Sequence, residues 1–411
     1  MSGESWGAEG FYPPPARYGK LLRELMEEPR LTRQPSLAEI ARVFLKLGTI
    51  AFGGPAAHIA LMEEEFVRRR QWITEAEFLD RLAAANLIPG PSSTEVGIFV
   101  GHLKRGWRGL IIAGSCFIIP AAAMVSAIAW AYVRFGALPQ VAGMLYAIKP
   151  VVVAIVIQAL LKLAKSGVRT ILLAAVAAVA AALSLAGLNP IAVLLVAAVV
   201  SSAGFGLRHK RALAAVVALP RLPGVLIAVA AAGVAWPVGL GRLFLSFLKI
   251  GSVVFGSGYV LLAFLQAEFV GHLHWLTDKQ LIDAVAVGQV TPGPVFTTAT
   301  FIGYLVAGLP GAVVATVGIF LPGFLLVAVS GPLLPRMRRS ALVAAALDGV
   351  IAGSLALMAV VTWQLGRAAI IDRTTLILFA LSVVALLRFR VNSAWLIGAA
   401  AVGGAVLSAF R

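Results

Sequence analysis

Apolar residues run almost unbroken through 107–133, 141–163, 169–187, 190–206, 222–240 and 310–331, and polar residues are confined to the links between these runs. About 20 apolar residues in a helix cross the hydrocarbon core of a bilayer, so each run predicts a transmembrane helix. Two more runs, 43–62 and 82–103, have a similar length but carry their own interruptions, FGGP from Phe52 and PGP from Pro89. Proline removes an amide donor and glycine tolerates dihedrals that other residues avoid, so both runs predict helices broken within the membrane. They read as re-entrant hairpins with arms rising about 14 Å, roughly half of the core. Full spans are the alternative, but they would put Arg68, Arg69 and Arg70 outside, against the positive-inside tendency.

The pattern occurs twice. FLKLGTIAFGGP at Phe44 lies on FLKIGSVVFGSG at Phe247, Trp72-Ile73-Thr74 on Trp275-Leu276-Thr277, Asp80 on Asp283, Asn86 on Gln289, and Pro89-Gly90-Pro91 on Pro292-Gly293-Pro294. After a one-residue gap, FVGHLKRGWRG at Phe99 matches FIGYLVAGLPG at Phe301 and Pro120 matches Pro322. Basic clusters at 68–70, 104–108, 162–169, 208–211 and 336–339 are all inside if four spans follow the first hairpins and the run 222–240 carries the chain out before the second copy. The expected fold is an all-α polytopic membrane protein with two inverted-topology homologous repeats and broken or re-entrant helices. Its divisions are a cytosolic N-terminal tail, 1–36; a first repeat, 37–206; a basic loop with a connecting transmembrane helix, 207–241; and a second, inverted repeat, 242–411. Secondary transporters of this design bind substrate where the repeats meet, near the midplane.

Composition narrows the picture further. The chain has 411 residues and 60% are hydrophobic, so its net charge of +16 belongs to short loops between apolar runs and not to a nucleic-acid-binding face. Cys116 is the only cysteine, which excludes an intrachain disulfide. No Walker-type loop, HExxH or metal-spaced aspartate pair occurs, so neither an ATP-driven pump nor a metalloenzyme is indicated, and no cofactor or metal is expected. An intramembrane enzyme acting on lipid phosphates is the weaker alternative class.

Helix N-termini present free amides and partial positive charge, which together bind anions. Hydroxyls follow both PGP turns. The expected substrate-binding residues are therefore Gly53, Gly54, Pro55, Pro89, Gly90, Pro91, Ser92, Ser93 and Thr94 in the first copy, with Gly256, Ser257, Gly258, Pro292, Gly293, Pro294, Thr297 and Thr298 in the second. Charged or titratable groups inside apolar runs are costly and usually paired or functional. Lys46 and Lys249 occupy matching places and either snorkel or lend positive potential. Lys149 aligned on Asp348 predicts an ion pair, as a lock or a moving gate. Glu95 either closes a Ser92-x-x-Glu capping box or carries a proton against the substrate. His58 reads as a packed, hydrogen-bonded histidine, and Trp72 and Trp275 as interfacial anchors.

The FGGP and PGP elements and their second-half counterparts resemble the chromate ion transporter family, over nearly everything from Leu37 onward. The resemblance implies chromate export across the bacterial inner membrane, giving chromate resistance, with sulfate as a structural analogue. The apolar runs and the positive-inside path themselves predict a multi-pass protein with a cytoplasmic N-terminus; its expected partners are an oxyanion and the lipid bilayer, and a homodimer is left open. The second copy departs from the first in Ser257 and Gly258, which stand opposite Gly54 and Pro55, and in having no match to Glu95.

Overall fold

The computed structural model describes residues 34–52, 54–208, 239–255, 258–330, 340–389 and 391–409. Gly53, Gly256, Ser257, the tail to Arg33, most of the 207–241 connector and Arg336, Arg338 and Arg339 lie outside the described residues, so the expectations placed on them are not addressed below. Among the described residues all regular structure is helical.

Ser36 opens α1 (Leu37–Ile50) by accepting the Glu39 amide at 3.1 Å, and the helix stops at Ala51. The next helix, α2 (Gly54–Glu63), widens into a π-helical turn at Glu64–Arg69. Gln71 then takes a left-handed φ of 50° to reverse the chain. Behind a Thr74–Glu77 capping box, α3 (Glu75–Ala85) leads to the PGP break. The long α4 (Ser92–Phe135) follows, bent at Arg105 and Gly106. At the base of this assembly Arg70 Nη1 lies 3.0 Å from Glu39 Oε1, and Arg105 Nε donates to the Pro35 carbonyl at 2.7 Å. The ends of both interrupted runs thus return to where α1 began, and 43–62 and 82–103 are hairpins. The arms are unequal: α1 has 14 residues and α2 has 10, so α1 rises about 21 Å, deeper than expected.

The second copy repeats these details. It comprises α8 (Leu240–Val253), α9 (Leu261–Leu265) with a π turn at Gln266–His272, and α10 (Asp278–Val290) behind a Thr277–Gln280 capping box. A 3-10 turn at Val295–Thr297 then enters α11 (Thr298–Ser330), bent at Ala307 and Gly308. His274 takes the place of Gln71 with φ 54°. The ring pair Phe44–Phe66 at 5.2 Å recurs as Phe247–Phe269 at 4.8 Å. Trp72 is no interfacial anchor: it is 4% exposed and stacks on Phe66, because the hairpin base needs a large apolar group to close it. Its counterpart Trp275 is half-buried beside the Arg242 guanidinium, 5.9 Å from the ring centre.

Among the described residues six further helices, α5 (Pro139–Gly167), α6 (Ile171–Leu185), α7 (Pro190–Arg208), α12 (Ala341–Ala369), α13 (Arg373–Arg388) and α14 (Ser393–Ala409), form an outer bundle. In it α5 packs on α12, α13 and α14, while α12 packs on α6 and α7. The two repeats are inverted. Tyr132, near the far end of α4, donates to Asp283 Oδ2 at 3.0 Å close to the base of the second hairpins, and about 38 Å of helix separates it from the first base. Ser92–Phe135, Pro139–Gly167, Val295–Ser330 and Ala341–Ala369 are long and apolar enough to cross a membrane. Their lipid-ready surface extends to exposed residues such as Ile171 and Val199.

Candidate functional site

The last carbonyls of a helix and the first amides of another are left without intrahelical partners. Here each repeat satisfies the other. The Gly90 amide donates to the carbonyl of Val254, where α8 ends, at 2.7 Å; the Gly293 amide donates to the carbonyl of Ala51, where α1 ends, at 2.9 Å. These residues correspond in the two copies, so the pair of bonds is a pseudo-twofold crossing in which each PGP turn holds the opposite repeat's helix break. Both glycines need their positive φ, 134° and 93°. The turns predicted as binding elements, Pro89 to Pro91 and Pro292 to Pro294, are therefore brought together with Ala51 and Val254 at the repeat interface.

The hydroxyls do not converge as a ring. Ser92, Ser93 and Thr94 are buried, yet Ser93 Oγ lies 3.3 Å from His58 Nδ1, and His58 Nε2 lies 3.0 Å from the Ala51 carbonyl. His58 is thus the packed histidine expected, joining the two hairpins of the first copy. Thr297 and Thr298 donate to the carbonyls of Pro294 and Val295, each at 2.8 Å, so their hydroxyls are spent on their own turn. Thr94 Oγ1 and both Glu95 oxygens are buried and have no hydrogen-bond partner among the described residues.

Glu95 is not the cap. Pro91 occupies the N-cap position and its carbonyl accepts from Thr94 and Glu95, which puts Ser92 one residue too late for the capping box. The carboxyl is 0% exposed and fills space left by two glycines: a Cβ on Gly90 would collide with Glu95 Oε1, and one on Gly323 of α11 would lie 3.4 Å from it. It sits between its own PGP turn and a helix of the opposite repeat.

The two halves are packed differently against the outer bundle. In the second copy α10 packs on α5, α12 and α14, whereas α3, its counterpart, has its main partner in α4. The tips follow suit. Phe52 is 45% exposed and Gly54 and Pro55 are half-buried, while Gly258 is buried in a void of about 10 Å³ shared with Tyr259, Gln289 and Thr298, room for a single water. Among the described residues the first tip is thus the more exposed of the two.

Lys149 does not pair with Asp348. Its Nζ lies 3.5 Å from Asp283 Oδ1 on α10, and Tyr132 completes the cluster. The reason is register: α5 and α12 are both 29 residues long, beginning at Pro139 and Ala341, which sets Lys149 against Ile351 and leaves Asp348 exposed. Sequence reasoning aligned Asp283 with Asp80 but passed over it; an aspartate within LIDAVAVGQV was the available signal. Removing one partner of a buried pair strands the other, so Asp283→Ala should destabilise the protein by about 3–5 kcal/mol, and Asp283→Ala combined with Lys149→Met by much less. Thermal unfolding in detergent measures both.

The lysines of the two copies differ as well. Glu268 takes Lys249 at 2.6 Å and the Ser246 hydroxyl at 3.1 Å. The matching Glu65 is taken by Arg70 at 2.8 Å and Arg69 at 3.4 Å, and Lys46 is exposed with no ion pair among the described residues. Among the described residues no three His, Cys, Asp or Glu side chains gather as a metal site would require.

The family model described as Chromate transporter matches residues 38–202 and again 241–405. The chain is 36% identical over 378 residues to the chromate transport protein of Cupriavidus metallidurans, covering 90% of this chain and 92% of that one. It is 32% identical over 369 residues to a probable chromate transport protein of Synechococcus elongatus, covering 88% and 91%. An uncharacterized transporter of Methanocaldococcus jannaschii is 29% identical over 354 residues, covering 83% and 86%. No solved structure matches the chain.

Proposed function

The chain belongs to the chromate transporter family, and from that membership we propose that it exports chromate from the cytoplasm across a bacterial inner membrane, conferring resistance. The observation that carries the reading is the crossed pair of bonds, Gly90 to Val254 and Gly293 to Ala51, because it puts the broken helices of both repeats at one place between two bodies that can move. The oxyanion is held at the first tip and the start of α4, by Thr94, the amide ends and the positive end of the helix dipole.

Two packing arrangements follow from the inverted repeats. In the one observed, α10 packs on three helices of the outer bundle while α3 packs mainly on α4; exchanging these roles would open the second tip and close the first. With the N-terminus in the cytoplasm, the observed arrangement faces inward. A dianion leaving a negative interior gains about 4.6 kcal/mol per 100 mV, which is enough to drive export without ATP. Glu95, a carboxyl beside the anion with no partner of its own, is the group through which a proton is coupled to this movement.

Replacing Ser92, Ser93 and Thr94 together with alanine should raise the half-saturating chromate concentration by tenfold or more in inverted vesicles while leaving insertion intact. Unchanged binding and transport would remove the site assignment. Sulfate, with the same charge and shape, is the competitor to include in that assay.

A further inference from the structure

Outside the crossed tips, a cleft of about 450 Å³ opens on the second-repeat side, between α8, α9 with its π turn, the α6–α7 link and α12. Lys249, Glu268, Gln266, His272, Asn189 and Gln364 line it. Lys249 is the one ammonium among its lining residues. An ammonium has three N–H donors. Glu268 occupies one of them at 2.6 Å and is itself fixed by the Ser246 hydroxyl.

The first copy lacks this arrangement for a reason written in its sequence. Arg69 and Arg70 claim Glu65, and the residues standing opposite them in the second copy are His272 and Leu273. Freed of arginines, Glu268 turns to Lys249; with Glu65 held by Arg69 and Arg70, Lys46 stays within the field of that carboxylate but makes no direct ion pair with it. The first-copy lysine is thus exposed without a direct ion pair among the described residues, and the second-copy lysine carries a competing carboxylate inside the cleft.

We propose that the Lys249 cleft is a second station for the oxyanion, on the release side, and that Glu268 weakens it by competing for Lys249 so that the substrate departs. Lys46 has no carboxylate in direct contact, so the two lysines differ in how tightly they would hold a dianion; the difference speeds release at the second face, while the driving force sets the direction of net flux. This proposal rests on the chromate-transport reading. The carboxylate acts on a bound dianion both by repulsion and by occupying its donor, and like charges set side by side oppose binding strongly.

The test measures inhibition of chromate flux by chromate added to the second-repeat face of oriented proteoliposomes. Glu268→Gln should lower the inhibitory concentration about tenfold and slow turnover, and adding Lys249→Gln should reverse that gain. Glu65→Gln should leave inhibition from this face unchanged. Should Glu268→Gln not be recovered as folded protein, Glu268→Asp, which draws the carboxylate back from Lys249, carries the same expected direction. Wild-type flux with no change in either Glu268 variant would overturn the cleft assignment alone. Absence of any wild-type chromate flux would overturn the underlying reading, and the cleft assignment with it.

Discussion

Glu95→Gln should give a protein that folds and inserts normally, transports chromate at least tenfold more slowly, and no longer responds to an imposed pH gradient. The substitution keeps the shape of a side chain that fits between Gly90 and Gly323. It removes only the ability to change charge. An ionised carboxylate with no partner in a water-poor interior costs several kcal/mol, and an adjacent dianion adds to that cost. A proton is therefore held while substrate occupies the tip and surrendered only where water reaches the group. Glutamine breaks this coupling: no proton leaves with the substrate, and the flux depends on the membrane potential alone. The measurement is chromate uptake into inverted vesicles with the potential clamped and the pH gradient varied; wild-type pH dependence in Glu95→Gln would show that coupling lies elsewhere. Stability should stay level or rise slightly, since the amide is cheaper to bury than a carboxylate.

Much of the architecture was legible because broken helices leave strong marks. FGGP, PGP and the repeated FLK segments announced the hairpins, and the Arg68 to Arg70 cluster chose hairpins over full spans. Two of these, Arg69 and Arg70, turn out to hold the hairpin base through Glu65 and Glu39, which charge counting could not reveal. Registers failed where side chains carry little information. Through α5 and α12 the sequence is mostly alanine, valine and leucine, so a shift of three residues looked as good as the true alignment and paired Lys149 with the wrong aspartate. The capping-box motif failed by one residue, because Pro91 takes the N-cap position and leaves Ser92 inside the helix, with Glu95 lying between Gly90 and Gly323 of α11. Which hydroxyls were already committed, as in Thr297, Thr298 and Ser93, depends on local hydrogen bonds that no spacing rule encodes.

The crossed glycines should be unequal in their sensitivity despite their symmetry. Alanine at either position is strained by positive φ, and strain of this kind costs on the order of 1–3 kcal/mol. What the added methyl meets differs. At Gly293 it would stand 2.7 Å from Ala121 Cβ and 3.3 Å from the Gly48 carbonyl, both fixed by helix packing, so the turn must move and the bond to Ala51 is lost. At Gly90 the obstacle is the end of the Glu95 side chain, which can swing aside. Gly293→Ala should therefore lose folded protein and nearly all transport. Gly90→Ala should retain more of the fold but lose transport and its pH response together, because it evicts the proposed proton carrier. The double variant Gly90→Ala with Glu95→Ala should recover part of the stability lost in Gly90→Ala and none of the coupling. Unfolding temperatures and chromate flux for the four proteins separate the strain of the turn from the displacement of Glu95. Equal stability losses at the two glycines would mean that backbone strain alone, and not the neighbours of each turn, governs the crossing.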